Sequence, residues 1–137
     1  RWPYYSRSLQ FNFRRIANLV KNTANLDKIG GTMLYEYRLY TALPGKMGLI
    51  SEILKEAVPM FEKAGMKVLG PWKPIVGETS TVVYMLGFEN AADREHKWSK
   101  FKNDPEWKEK RAKFGTEPIT SSEFNTLLKS TPYSPAK

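Results

Sequence analysis

The sequence predicts an α+β domain in the order strand, helix, strand, strand, helix, strand, with one four-stranded antiparallel sheet. Three stretches carry this reading. Residues 32–41, Thr-Met-Leu-Tyr-Glu-Tyr-Arg-Leu-Tyr-Thr, are rich in the aromatic residues that strands favour and lie between Gly30-Gly31 and Pro44-Gly45. Residues 46–63 repeat apolar side chains every three or four positions, the period of a helix with one buried face. Residues 79–88 alternate about Val82, Tyr84, Leu86 and Phe88, and the Gly77-Glu78 turn ahead of them makes a hairpin with the preceding segment.

The chain opens with a basic extension, residues 1–31. It holds six Lys/Arg against one acid, Asp27, so most of the net charge of +8 belongs to it and the remainder carries only +3. Residues 1–22 are rich in Arg, Ser and Asn, with no acid until Asp27, the composition of a mitochondrial targeting segment or of what cleavage leaves of one. Within it Leu9, Phe13, Ile16 and Val20 fall at helical spacing with basic residues around them. Such a short helix is marginal alone in water. Phe11, Phe13, Arg14, Arg15, Ile16 and Val20 are therefore expected to meet a surface: the chain's own domain, another protein or an anionic membrane.

The domain proper is expected over residues 32–129. In the first strand Met33, Tyr35, Tyr37, Leu39 and Thr41 share one face, while Leu34, Glu36, Arg38 and Tyr40 share the other. The second face sets a carboxylate, a guanidinium and a phenol in a row, and buried charges require partners. Any chemistry in the domain is expected to start there.

Pro44-Gly45 turns the chain into the first helix, whose stripe is Met47, Ile50, Leu54, Ala57, Phe61 and Ala64. Pro59 lies within it and is expected to kink it, and Gly65 stops it. Residues 66–76 read as an irregular strand, which Pro71 and Pro74 assign to a sheet edge. Asn90 can cap a helix over residues 91–102 that turns Trp98 and Phe101 inward. Asp104-Pro105-Glu106 then restarts a basic helix to about Phe114. Residues 117–129 supply the last strand, and a Pro-rich tail, residues 130–137, ends the chain. This order is ferredoxin-like: first and third strands central, helices on one sheet face, and the other face left for water or a partner.

Composition excludes several classes. An apolar fraction of 41% suffices for a core. No uncharged apolar run approaches the roughly 20 residues of a membrane-spanning helix. The absence of cysteine removes disulfides, thiolate metal sites and cysteine nucleophiles. His96 is the only histidine and sits among Arg94, Glu95, Lys97 and Lys100 on what reads as a solvated helix face, so no metal site is assigned. There is no Gly-rich phosphate loop and no Gly-x-Ser-x-Gly elbow. An RNA-recognition module would place basic-Gly-aromatic-Gly-aromatic on the third strand; Thr81-Val82-Val83-Tyr84-Met85-Leu86-Gly87-Phe88 does not, and no nucleic-acid partner is expected. The basic run over residues 108–113 reads as a solvated face anchored by Trp107 and Phe114.

From Tyr35 to Phe114 the chain resembles the NIPSNAP family. The resemblance rests on Tyr35-Glu36-Tyr37-Arg38-Leu39-Tyr40, Pro44-Gly45-Lys46, Glu62-Lys63, Val68-Leu69-Gly70-Pro71-Trp72, Val82-Val83-Tyr84, Arg94-Glu95 and Asp104-Pro105-Glu106-Trp107, in that order, with Tyr133-Ser134-Pro135 similar in the tail. It implies a dimeric α/β barrel in which two ferredoxin-like sheets pair face to face and, for eukaryotic members, a mitochondrial binding or signalling role. The family pattern carries a His and a Trp where this chain has Tyr84 and Leu86, a departure that weakens a catalytic reading.

On that basis Glu36, Arg38, Tyr40, Trp72 and Tyr84 form a candidate pocket in the barrel interior, suited to a small anionic or aromatic molecule. The competing reading makes Glu36 and Arg38 a satisfied ion pair that sets register. No catalytic residue and no cofactor is assigned. The expected function is a non-catalytic interaction or structural subunit of a mitochondrial assembly, such as an accessory subunit of a respiratory complex, in the matrix or on the matrix face of the inner membrane. Its expected partners are a second copy or a related ferredoxin-like domain, and other mitochondrial proteins through both extensions. The alternatives are a small dimeric barrel enzyme similar to antibiotic-biosynthesis monooxygenases and a homodimeric mitophagy adaptor.

Overall fold

The structure, a computed structural model, describes residues 33–136. The expected leader helix and its contact residues Phe11, Phe13, Arg14, Arg15, Ile16 and Val20 lie outside the described residues. Within them the order is β1 (Leu34–Ala42), α1 (Met47–Lys63), β2 (Lys67–Trp72), β3 (Thr81–Phe88), α2 (Ala91–Asn103), α3 (Pro105–Ala112) and β4 (Thr120–Lys129). The four strands make one antiparallel sheet in the order β2-β3-β1-β4, so β1 and β3 are central, as the ferredoxin-like order requires.

The register sorts side chains onto two faces. Glu36 sits opposite Leu86 on one side and Leu127 on the other, and Arg38 opposite Tyr84 and Asn125. Because directly opposed residues share a face, Glu36, Arg38, Tyr40, Val82, Tyr84, Leu86 and Phe88 all point one way. This is the face the helices cover. Ile50, Leu54, Ala57, Met60 and Phe61 of α1 and Phe101 of α2 are buried, and they form one core with Val82, Tyr84, Leu86 and Phe88. The expected stripe of α1 is therefore its buried face, joined by Met60, while Pro59 lies exposed and the helix runs through it to Lys63.

Capping follows the local sequence. Asn90 Oδ1 accepts from the Asp93 amide at 2.9 Å, and the Asp93 carboxylate accepts in return from the Glu89 amide at 3.0 Å, so two otherwise unpaired donors at the start of α2 are satisfied. Asp104 Oδ1 accepts from the amides of Glu106 and Trp107 at the start of α3. Lys63, at the end of α1, reaches Asp104 at 3.0 Å and Glu106 at 2.8 Å and ties the two helices together.

Several boundaries differ from the sequence reading, among them β3, which begins at Thr81 rather than 79. β2 stops at Trp72, because Gly70 at φ +90° and Pro71 shift the register after Leu69 and Pro74 has no amide to donate; Ile75 and Val76 lie in an exposed loop instead. At Gly70 an added Cβ would stand 2.7 Å from the Trp72 indole, which, with the positive φ, leaves glycine as the residue that fits. β4 begins at Thr120 rather than 117, after the positive-φ Gly115 and Pro118, and α3 ends at Ala112.

The opposite face carries Tyr35, Tyr37 and Leu39 of β1, Val83 and Met85 of β3, Leu69 and Trp72 of β2, and Phe124 and Leu128 of β4. The tail folds back over one end of it. The Ser130 amide donates to the Met33 carbonyl, Ser130 and Ser134 hydroxyls donate to the Ala136 carbonyl, and residues 130–136 shelter Tyr35. Toward the other end Phe124 is 56% and Trp72 54% exposed. No helix among the described residues is long and apolar enough to cross a membrane.

Candidate functional site

Glu36 is the centre of a polar cluster between the sheet and the helices. Its side chain is only 2% exposed, yet both carboxylate oxygens have hydrogen-bond donors. Oε1 accepts from Arg38 Nη1 at 2.9 Å; Oε2 accepts from Arg94 Nε at 2.8 Å and from Trp98 Nε1 at 3.0 Å. Arg38 Nε donates to the Tyr40 hydroxyl at 2.9 Å, which shares a 2.9 Å hydrogen bond with the Tyr84 hydroxyl.

Strand alternation brings Glu36, Arg38 and Tyr40 onto one face, and the β1–β3 register brings Tyr84 opposite Arg38. Helical spacing does the rest, because Arg94 and Trp98 are four residues apart on α2 and so share a face. The Arg38 guanidinium lies 5.0 Å from the Trp98 ring centroid, 5.4 Å from Tyr40 and 5.8 Å from Tyr84, a cage of π faces for a nearly buried cation. Phe61 extends the cluster into the core, stacking on Tyr84 and meeting Trp98 edge-on, and Phe101 continues it to Trp107 of α3.

The electrostatics hold each group in one protonation state near neutrality. Burial on its own would raise the Glu36 carboxyl, but hydrogen bonds from Arg94 and Trp98 and the positive charges of Arg38 and Arg94 outweigh it, and the group titrates below its ordinary value. Burial opposes the charge on Arg38, while the neighbouring Tyr84, Tyr40 and Glu36 more than restore it. Burial pushes both phenols up, Tyr84 furthest. The Glu36 carboxyl is thus held as the anion, the Arg38 guanidinium as the cation and both phenols as neutral groups. Such a cluster binds its own parts together.

Four of the five expected pocket residues come together: Glu36, Arg38, Tyr40 and Tyr84. Their expected position is corrected, since they lie under α2 within one protomer rather than on the open face that would line the interior of a paired barrel. The charged face is buried because two side chains of α2 compensate it. Trp72 does not join them; it stands opposite Val83 on the other face. Arg94 and Trp98 complete the set. Trp98 was legible as inward-turned, but Arg94 read as solvated, and the signal for it was the four-residue spacing between the two. The basic run of α3 is also less solvated than expected, as Lys110 bridges Glu56 of α1 at 3.2 Å and Glu106 at 3.1 Å. His96 is exposed, and among the described residues no group of His, Asp and Glu is placed to hold a metal ion.

A family model for NIPSNAP proteins matches residues 35–135, almost the whole of this domain. The chain belongs to the NIPSNAP family. Solved structures of NIPSNAP proteins share its fold. A NIPSNAP family protein from Agrobacterium tumefaciens is 24% identical, with 77% of this chain and 99% of that one covered and a TM-score of 0.67. A second from the same organism, of unknown function, is 19% identical over 78% and 96%, again with a TM-score of 0.67. An uncharacterised NIPSNAP domain protein from Burkholderia xenovorans is 19% identical over 74% and 98%, with a TM-score of 0.63. No curated protein sequence matches the chain. In this NIPSNAP domain the Tyr35–Tyr40 motif has a physical meaning, because its alternate residues supply both the buried cluster and the open face.

Proposed function

We propose that this NIPSNAP-family chain is a non-catalytic interaction subunit of a mitochondrial assembly, working through its open sheet face. The supporting observation is the contrast between the two faces. The polar residues that would serve chemistry are closed among themselves beneath α2, while Tyr37, Leu39, Val83, Met85, Phe124 and Leu128 form an apolar layer that helices leave uncovered. The partner of that layer is a second copy or a related ferredoxin-like sheet, since two such faces match in shape and in apolar character.

The basic leader, residues 1–31, supports a mitochondrial location in the matrix or on the matrix face of the inner membrane, by its acid-poor, Arg-rich composition. Both extensions then reach neighbouring subunits. A native-gel mass profile of gently solubilised mitochondria tests the reading. Migration with a complex of several hundred kilodaltons, lost when residues 1–31 are deleted, is expected; migration only as a free dimer would overturn the subunit assignment.

A further inference from the structure

The loop between β2 and β3 is the most exposed apolar feature among the described residues. Ile75 is 96% and Val76 87% exposed, side by side, with Pro74 before them and Gly77 at φ +100° after them. Single exposed aliphatics are ordinary; two adjacent β-branched ones at a loop tip are not explained by the fold, because neither touches the core. Directly behind the loop is a groove of about 310 Å³ between α1 and the β2–β3 hairpin. Its floor is apolar, from Leu54, Val58, Pro71 and Val82, and exposed Lys55 and Lys73 line it with no carboxylate among the lining residues. Lys55 has only a long contact to Glu52, at 4.0 Å, and Lys73 has no ion pair among the described residues. The loop's own acid, Glu78, is turned onto the Ser80 amide and hydroxyl.

We propose that this loop docks the protein on an anionic phospholipid surface, with Ile75 and Val76 entering the interfacial zone and Lys73 and Lys55 meeting the lipid phosphates. The arrangement suits that occupant on two counts. Apolar residues at a tip reach the acyl boundary while the lysines set just behind them stay at headgroup level, the order of a bilayer interface. The remainder of the chain after residue 31 carries a net charge of +3, which adds a modest long-range attraction of the same sign. The contact does not use the sheet face, so it adds a membrane to the proposed assembly without depending on the pairing of sheets.

Full-length protein is sedimented with vesicles of phosphatidylcholine alone and of phosphatidylcholine mixed with phosphatidylglycerol, and its oligomeric mass is measured in parallel. The wild type is expected on the anionic vesicles only. Ile75→Ser combined with Val76→Ser should weaken binding about tenfold or more, and Lys73→Glu at least about fivefold, with oligomeric mass unchanged in both. Equal binding by wild type and either variant, or no binding by the wild type, would overturn the proposal. So would a fall in oligomeric mass in the Ile75/Val76 variant, which would assign the loop to pairing between copies instead. A failure of sheet pairing shows in the mass alone, and the vesicle comparison still decides the loop.

Discussion

Arg94 Nε donates to Glu36 Oε2 at 2.8 Å across 58 residues of chain, joining α2 to the central strand of the sheet through a buried charge. This contact converts a strand face that carries Glu, Arg and Tyr into a helix-packing face. Trp98, one turn further along, donates to the same oxygen and fixes the helix's rotation as well as its position.

Glu36→Gln is therefore expected to lower the stability of the protomer by about 3 kcal/mol, because it leaves two arginines without their shared anion in a closed site. Urea unfolding measures it. A change below about 0.5 kcal/mol would mean that the cluster does not clasp the helix to the sheet. Arg94→Met should cost less, as Arg94 is a quarter exposed and part of its charge already faces Glu95.

The same carboxylate gives stability a pH dependence with a definite sign. Its folded pKa lies below its unfolded value near 4.5, so its contribution is complete above that value and is lost as pH falls through the depressed one. Asp93 and Asp104 are shifted the same way, Asp93 despite a burial that opposes it, and Asp104 chiefly by its hydrogen bond from Lys63, so acid destabilisation is shared. Comparing wild type with Glu36→Gln isolates the buried group: their stabilities should converge as pH falls below about 4.5, and parallel curves would refute the assignment.

Tyr84→Phe deletes one hydroxyl that hydrogen-bonds the Tyr40 hydroxyl, and the Tyr40 hydroxyl still accepts from Arg38. The expected loss is about 1 kcal/mol. Ultraviolet titration offers a second reading of the same pair: burial holds Tyr40 and Tyr84 above the ordinary phenol value of 10.0, so neither should ionise at that pH. Ionisation of all seven tyrosines together near pH 10 would contradict this burial.

Phe124 stands on the open face, half exposed, with its ring edge-on to Tyr37 at 6.4 Å. Phe124→Asp should halve the solution mass by light scattering while leaving the unfolding midpoint of the protomer nearly unchanged. An unaltered mass would remove this face from the proposed pairing.

Gly70→Ala meets two obstacles at once, a φ of +90° and an indole 2.7 Å from the new methyl. A drop of about 1 to 3 kcal/mol is expected. A thermal midpoint equal to the wild type would show that the β2 turn relaxes freely.

Much of this was legible beforehand because it is local. Alternation along residues 32–41 sorted Glu36, Arg38 and Tyr40 from Tyr35, Tyr37 and Leu39; the stripe from Ile50 to Phe61 named the core face of α1; Asn90 and Asp104 announced their helix starts; and the prolines after Leu69 marked an edge strand. The site was only half legible. A row of charges on a strand reads as a surface for a partner, since burial without compensation is costly, and Arg94 sits in a stretch of α2 so polar that nothing nearby marks it as inward. Trp72 was grouped with the cluster by its chemistry, but its register opposite Val83 sends it to the other face.

The amino-acid order alone was enough for the elements, their caps, the two-sidedness of β1 and membership of a family recognisable from its motifs. Those properties depend on residues within a few positions of one another, where backbone geometry leaves few choices. Which side of β1 the helices cover was settled only in three dimensions. That choice turns on whether a distant helix can neutralise Glu36 and enclose Arg38 in aromatic rings, and the energy of a buried charge depends on neighbours that folding brings together from more than fifty residues away.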